Sequence, residues 1–236
     1  MNRVAVIQSN YIPWKGYFDI IHDVDLFIFH DDLQYTKNDW RNRNRIKTPK
    51  GPTWLSIPVG TDEHRQICAV ELRDPAWARK HWEQIRRHYS AAPYFADYQD
   101  FLERTYLATS WRTLSELNQH LIRTVSRDIL GIPTQFADSR EYALTKRKQD
   151  RVLELLLKTG THVYVSGPSA RDYIDEAYFR DNGIEVVWKS YGGYPEYPQF
   201  HPPFDHAVTI LDLLFHTGPK APWFIWGWRD GQDALA

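Results

Sequence analysis

A dense group of basic residues lies near the start of the chain, between positions 35 and 47. Five cationic side chains flank one tryptophan, Trp40, and they are Lys37, Arg41, Arg43, Arg45 and Lys47. The formal net charge of the whole protein is −1, so this charge density is local. Arginine holds phosphate or carboxylate through a planar pair of donors, and tryptophan offers a flat face to a base or sugar ring. With Gln34 and Tyr35 at its start, the segment is a candidate site for an anionic substrate.

Three titratable side chains directly precede this segment, after an apolar run that predicts a strand at residues 26–29. They are His30, Asp31 and Asp32, and we take all three as catalytic candidates. Adjacent carboxylates at a strand end can supply a general base or hold a magnesium ion. Neighbouring side chains on a strand point to opposite faces. We therefore predict that one acid is the base and that the other is structural.

Two polar loops each follow a predicted strand. The loop after residues 4–8 supplies Gln8, Tyr11, Trp14 and Lys15, and the loop after residues 162–165 supplies Ser166, Gly167, Ser169 and Arg171. Ser169 fits the N-cap of a helix over residues 169–180, whose free amides would bind an anion. Ligands of open α/β sheets bind at the carboxyl ends of strands. We expect both loops to share one cleft with Asp32 and Arg43.

A later loop, residues 191–199, is rich in glycine, proline and tyrosine. Tyr197 and Gln199 within it are candidates for contact with a sugar. The histidines lack the spacing of a metal motif, and the chain has a single cysteine, Cys68. We therefore predict no metal ligands.

The composition is that of a globular protein with a substantial core. Of the 236 residues, 42% are apolar and 15% are aromatic. One cysteine excludes an internal disulfide bond and fits a reducing compartment. The first apolar run is too short for a signal peptide, and no stretch approaches the roughly 20 apolar residues of a membrane helix. We expect a cytoplasmic protein without a membrane partner.

Periodicity and turn residues predict alternating strands and helices at both ends of the chain. The predicted strands are residues 4–8, 26–29, 53–59, 67–72, 134–137, 162–165 and 184–188, and the predicted helices are residues 17–24, 76–89, 93–106, 114–129, 148–158, 169–180 and 207–215. Thr113 and Glu116 form a capping-box pattern. This order predicts the α/β class, with a single mainly parallel sheet flanked by helices. We predict one domain over residues 1–236, with a helical insert at residues 75–130.

Seven segments in order resemble the WbqC-like family of bacterial proteins. They read Gln-Ser-Asn-Tyr-Ile-Pro-Trp-Lys-Gly-Tyr-Phe at 8–18, Asp-Asp-Leu-Gln-Tyr-Thr-Lys at 31–37, Trp-Arg-Asn-Arg-Asn-Arg-Ile-Lys at 40–47, Trp-Leu-Ser-Ile-Pro-Val at 54–59, Ser-Gly-Pro-Ser-Ala-Arg-Asp-Tyr at 166–173, Tyr-Pro-Gln at 197–199 and Leu-Asp-Leu-Leu-Phe at 211–215, with Gly218. Ser9 stands where the family pattern has proline. The resemblance implies a role in the biosynthesis of O-antigen or other surface polysaccharides, where transfer of glycine to an amino sugar has been suggested for the family.

The first strand–loop–helix and the turn at 166–169 also resemble the nucleotidyltransferase-like fold of pantothenate synthetase. Enzymes of that fold activate a carboxylate with ATP and pass the acyl group to an amine. This chain has Pro-Trp-Lys-Gly at 13–16 where those enzymes have paired histidines. ATP is thus a candidate cofactor by resemblance, and fold analogy alone does not establish its use.

The leading hypothesis is a transferase that joins a small acyl or aminoacyl group, such as glycyl, to an amine of a nucleotide-linked amino sugar. Arginines 41, 43 and 45 with Lys37 and Lys15 would hold phosphates or a carboxylate, and Asp31 or Asp32 would deprotonate the ammonium. The donor stays open between a free amino acid with ATP, an acyl carrier and an aminoacyl-tRNA. The alternatives are a non-catalytic protein that binds a nucleotide sugar or nucleic acid, and a glycosyltransferase whose two acids hold a metal ion on the donor diphosphate.

Overall fold

Five parallel strands form the central sheet. The computed structural model describes residues 2–229. Its strands within that range are β1 (Arg3–Ile7), β2 (Leu26–Phe29), β3 (Arg43–Ile46), β4 (Thr53–Ser56), β5 (Gln135–Asp138), β6 (Val163–Ser166) and β7 (Glu185–Trp188). The sheet has the order β5-β2-β1-β6-β7, and each neighbouring pair in it is parallel. The predicted α/β class with a parallel sheet is confirmed.

The strand order changes direction at β1. From β1 the sheet grows through β2 to β5 on one side, and through β6 to β7 on the other. The connections after β1 and β6 therefore leave in opposite directions, which opens a crevice at the carboxyl ends of these two strands. The loops that begin at Gln8 and Gly167 both start at this crevice.

Helices cover both faces of the sheet. Those in the described residues are α1 (Lys15–His22), α2 (Ala76–Tyr89), α3 (Phe95–Glu103), α4 (Leu114–Thr124), α5 (Lys148–Lys158), α6 (Glu176–Asp181) and α7 (Ile210–Thr217). Because side chains alternate along a strand, Ala5 and Phe27 pack in one apolar cluster with α1, α4 and α7. Val4 and Ile28 face the other way and pack with α5 and α6.

The middle of the chain is helical, as the sequence predicts. Helices α2, α3 and α4 occupy it, and short π-helical turns extend α3 and α4. The capping box at the start of α4 is present, because Thr113 accepts from the Glu116 amide and the Glu116 side chain accepts from the Thr113 amide. The Tyr89 hydroxyl donates to Asp212 at 2.7 Å and so joins α2 to α7. The single domain over residues 1–236 stays a prediction.

Part of the basic segment forms a strand that the sequence analysis does not predict. Residues 43–46 form β3, which pairs antiparallel with β4 in a separate hairpin. The predicted strand at residues 67–72 is also wrong, because Ile67–Ala69 is one turn of 3₁₀ helix and pairing is limited to isolated bridges. A backbone bond from the Cys68 amide to the Asp31 carbonyl, 2.8 Å long, holds this turn against the end of β2.

The predicted helix over residues 169–180 is divided in two. Pro168–Asp172 is a 3₁₀ turn, and α6 begins only at Glu176. The N-cap is Asp175, whose side chain accepts from the amides of Ala177 and Tyr178, at 3.0 and 3.2 Å. Ser169 therefore does not cap a helix, and the anion cradle expected at that position is absent.

Candidate functional site

Candidate residues gather where β2, β1 and β6 end side by side. The His30 amide donates to the Ile7 carbonyl at 3.0 Å, and Ile7 pairs with Phe29. His30, Gln8 and Gly167 thus follow three adjacent strands at one edge of the sheet. The side chains at this edge are divided between two clefts.

Arg41 is fixed at the crevice by uncharged oxygen atoms. Its Nη1 donates to Asn10 Oδ1 at 2.6 Å, and its Nη2 donates to Gln8 Oε1 at 3.0 Å. Asp39 lies 3.5 Å away, but its carboxylate also accepts from Thr36 and from the Trp40 amide. Amide oxygens orient a guanidinium without cancelling its charge, and Asp39 at 3.5 Å offsets that charge only in part, so Arg41 can still bind an anion.

A tyrosine from the turn after β6 lies near this guanidinium. Burial raises the pKa of Tyr173, and the charge of Arg41 opposes that rise. Tyr173 is nevertheless 63% exposed. Asp32 lines a separate cavity and Arg43 lies over Trp54, so the geometry does not support the expectation that both loops share one cleft with Asp32 and Arg43.

An aromatic cavity adjoins Arg41, and we name it the switch-point cleft. It has a volume of about 210 Å³, and its lining residues are Asn10, Pro13, Trp14, Trp40, Asn44 and Ala207. Trp14 packs edge-on against Tyr191, with ring centroids 5.2 Å apart. A Cβ on Gly16 would lie 2.3 Å from the Trp14 ring, so this close approach requires glycine. An anion anchor beside flat rings suits a ligand that carries both a charge and a ring.

Arg43 and Arg45 are not among the residues that line this cleft, and both lie on the hairpin. Both guanidinium groups lie over Trp54, with 4.3 Å and 5.7 Å to the ring centroid. Arg45 also donates to the Ala207 carbonyl at 2.8 Å. Trp54 and Trp40 lie 5.5 Å apart and are each 42% exposed. The sequence reasoning did not name Trp54 as a candidate residue. Trp54 lies opposite Arg45 in the hairpin, so its position beside the basic strand could have indicated the stacking.

Asp31 is fully buried and bonded on both oxygens. Oδ1 accepts from the Ser9 amide at 2.7 Å, and Oδ2 accepts from the Ser115 hydroxyl and from Gln119 Nε2. The carboxylate therefore joins the loop after β1 to α4. This environment favours the structural role for Asp31.

Asp32 faces the opposite side, toward α5. Its carboxylate accepts from the Ser139 hydroxyl at 2.6 Å and forms an ion pair with Arg151. Arg151 Nε also donates to His30 Nε2 at 3.2 Å. Burial lowers the pKa of His30 to about 4, so the imidazole is neutral near pH 7. Asp32 is the partly exposed member of the pair of acids.

Asp32 lines the second cavity, which we name the basic cleft. Its volume is about 410 Å³, and its lining residues are Asp32, Leu33, Gln34, His64, Arg65, Gln66, Lys146, Arg147, Lys148 and Arg151. Sequence reasoning placed Gln34 in a site but missed the cations at 65 and 146–151. The Lys-Arg-Lys run at 146–148 was a signal for them.

The other predicted residues have varied surroundings. Tyr11 and Tyr35 are buried, and the Tyr11 hydroxyl contacts His81 and Tyr106. Ser166 is buried with its hydroxyl 3.2 Å from that of Tyr164. Ser169 and Lys37 are exposed. Arg171 is also exposed and lies 5.3 Å from the Trp188 ring centroid. Gly167 lies beside the Tyr191 hydroxyl.

Lys15 and the late tyrosine loop form a buried aromatic cage. The Lys15 ammonium lies 4.9 Å from the Tyr194 ring centroid and 5.4 Å from that of Tyr197. Burial lowers the pKa of Lys15 to about 8, against the attraction of Asp212. Tyr197 and Gln199 both donate to Asp212, at 2.7 and 2.8 Å. Tyr197 and Gln199, which the sequence predicts to contact a sugar, thus stabilise the packing of this loop on α7.

No group of three or more His, Cys, Asp or Glu side chains in residues 2–229 is arranged to hold a metal ion. The carboxylates of Asp31 and Asp32 bond to different helices, so they do not meet on one ion. The glycosyltransferase alternative therefore receives no support from the geometry. In the same part of the chain no helix is long and apolar enough to cross a membrane.

Comparison with known proteins identifies the family of the chain. The model of the WbqC-like protein family matches residues 8–223. The chain is also 46% identical over 224 residues to the uncharacterized protein Rv1507c of Mycobacterium tuberculosis (strain ATCC 25618 / H37Rv), and the match covers 94% of this chain and 96% of that relative. The match to the family model includes the loop after β1, the basic hairpin and the turn after β6. The chain belongs to the WbqC-like protein family.

Proposed function

We propose that the protein is a transferase that joins a small acyl or aminoacyl group to the amine of an anionic sugar-type substrate. The observation that carries this proposal is the guanidinium of Arg41, which amide oxygens of Gln8 and Asn10 hold beside the switch-point cleft. Such a group would bind a phosphate or carboxylate, and the rings of Trp14 and Trp40 would pack on the sugar or base.

Asp32 is the proposed base. The amine arrives as an ammonium, and Asp32 removes one proton so that the nitrogen lone pair can attack the donor carbonyl carbon. A C–N bond forms, and the bond from that carbon to the leaving group breaks, with its electron pair going to the leaving group. The nitrogen then loses its second excess proton to the leaving group or to water. Ser139 and Arg151 fix the orientation of the carboxylate, and two lone-pair directions stay available.

The substrate class rests on the family resemblance. A role in surface-polysaccharide biosynthesis would make the acceptor a nucleotide-linked amino sugar, and the glycyl group is one candidate for the transferred unit. Three donors fit the proposal equally, namely a free amino acid with ATP, an acyl carrier and an aminoacyl-tRNA. The protein is proposed to act without a membrane partner, in the cytoplasm.

The test begins with native mass spectrometry of the purified protein to identify a retained ligand, followed by transfer assays with each donor. Arg41→Gln should weaken binding of the acceptor by about tenfold or more, because a charge-assisted bond contributes roughly 1.5–3 kcal/mol. Arg73→Gln is the matched control, since Arg73 is exposed and paired only with neighbouring Glu71. Full affinity in the Arg41 variant would remove this side chain from the site.

A non-catalytic binding protein is the second candidate. The observation that favours it is the ion pair between Asp32 and Arg151, which already occupies one oxygen of the proposed base. A binder would retain a ligand in native mass spectrometry and would show no turnover with any of the three donors. Measured transfer would exclude it.

A further inference from the structure

The basic cleft contains far more positive than negative charge. Five of its lining side chains are cationic, and Asp32 is the one carboxylate among them. Asp32 pairs with Arg151, so these two charges cancel inside the cleft. Arg65, Lys146, Arg147 and Lys148 are then the uncompensated cations, in a protein whose formal net charge is −1.

Three carboxylates near these cations in the sequence bond to other groups. Glu154 accepts from the amides of Thr145 and Lys146 and pairs with Lys158. Glu63 accepts from the Lys37 amide, and Asp62 accepts from the His64 amide. Throughout residues 2–229, no salt bridge involves Lys146, Arg147 or Lys148.

The cations come from two separate segments that face each other. Lys146, Arg147 and Lys148 lead into α5, whereas Arg65 follows the turn after β4 and is held by the Val59 carbonyl and the face of Tyr35. Like charges repel, so the two cationic segments destabilise each other unless an anion lies between them. The cavity of about 410 Å³ is large enough for two or three linked phosphates but too small for a nucleic-acid duplex.

We infer that the basic cleft binds the diphosphate or triphosphate chain of a nucleotide ligand. Lysine acts as a point charge on phosphate, and arginine adds bidentate bonds, so a mixed set suits a chain of phosphates. The nucleotide identity rests on the proposed function, whereas the affinity for linked phosphates rests on the cleft alone. Phosphates here would lie next to Asp32, the proposed base.

The experiment uses inorganic pyrophosphate as the probe and isothermal titration calorimetry of the full chain as the readout. We expect the variant Lys146→Gln/Arg147→Gln to bind pyrophosphate about tenfold more weakly or worse, since it loses two charge-assisted contacts. Both residues are exposed, so their replacement should not affect folding. Arg86→Gln/Arg87→Gln removes the same charge from the exposed side of α2 and should change the affinity by less than about twofold.

Two further arms identify the ligand and separate this inference from the proposed function. A nucleoside diphosphate should bind at least as tightly as pyrophosphate and more tightly than inorganic phosphate. Arg41→Gln should keep pyrophosphate binding while it loses acceptor binding, so each proposal can fail without the other. Equal losses in the two double variants, no pyrophosphate binding, or tighter binding of a single-stranded oligonucleotide would each overturn the inference.

Discussion

The two basic segments of the chain, residues 35–47 and 146–151, differ in what their cations do. In the first, most cations already have partners in the protein. Arg41 donates to amide oxygens, Arg45 to the Ala207 carbonyl, and Lys47 to the carbonyls of His201 and Pro203. In the second, the cations at 146–148 are exposed around an open cavity.

The difference has a physical cause. Residues 43–46 are a strand packed on the core, with Asn44 and Ile46 buried. A cation near this strand is partly desolvated, so it destabilises the protein unless it has a hydrogen-bond acceptor. Residues 146–148 stand in the connection to α5, where solvent can reach their charges. The density of charge in a sequence therefore does not indicate how many cations are free to bind a ligand.

The largest expected effect concerns the two adjacent acids that precede the first segment, Asp31 and Asp32. Asp32→Asn keeps the shape of the side chain but removes the proposed base, so turnover should fall by roughly 10²–10⁴ while the fold is kept. Asp31→Asn places an amide NH₂ either against the Ser9 amide or against the donors of Ser115 and Gln119, and should lower the free energy of unfolding by about 1–3 kcal/mol. Single-turnover assays and urea unfolding of both variants test the assignment, and the reverse pattern would exchange the two roles.

A slightly smaller effect is expected on the free energy of unfolding when one lysine of each basic segment is replaced. Lys47 is 2% exposed, and its ammonium donates to the carbonyls of His201 and Pro203. Lys47→Met leaves both carbonyls without that donor and should lower the free energy of unfolding by about 2–4 kcal/mol. Lys146→Met should change it by less than about 0.5 kcal/mol because that side chain is exposed. Similar losses in the two variants would contradict the comparison.

Each basic segment has a buried histidine near it, and we predict that these two histidines make the protein less stable in acid. Burial lowers the pKa of His81, which contacts the Ser56 carbonyl of the hairpin, and of His30, beside Arg151, to about 4. Between pH 6.5 and 4 the unfolded chain binds more protons than the folded one, so the free energy of unfolding falls as pH falls. Each histidine should contribute about 1–3 kcal/mol to that loss.

Urea unfolding across this pH range, in the wild type and in His30→Asn and His81→Asn, measures the two contributions. Burial lowers the pKa of both histidines to about 4. The two variants should therefore flatten the pH dependence to a similar extent. An unchanged slope in both would mean that these imidazoles are protonated in the folded state.

Much of the fold could be predicted because local signals agree with the packing. Helices α2 and α5 have the predicted bounds, and the capping box at Thr113 is where the sequence places it. The failures lie where tertiary contacts decide. The turn at Ile67–Ala69 is fixed by backbone bonds to the segment after β2, and the interruption after Asp172 is fixed by the cap at Asp175.

The candidate site was predicted less completely. Pattern alone found Arg41 and the loop after β1, because both combine polar side chains with a strand end. It could not tell that Asp31 and Asp32 bond to different helices, nor that Lys146 and Arg65 meet at one cavity. Those facts depend on the three-dimensional arrangement of segments that are far apart in sequence, and the roles themselves stay predictions.

The smallest expected effect concerns the stack of Arg43 on Trp54, whose centroid lies 4.3 Å from the guanidinium carbon. Arg43 also donates to the Asn38 carbonyl, so its guanidinium group stabilises the segment that leads into the hairpin. Trp54→Leu keeps an apolar side chain but removes the π face, and should lower the free energy of unfolding by about 0.5–1 kcal/mol, the usual range for an exposed cation–π contact. Arg43→Lys should lose part of the same energy, and the double variant should show less than the sum of the two. Strict additivity in this cycle would mean that Trp54 does not hold Arg43, and that the bond to the Asn38 carbonyl alone fixes its guanidinium.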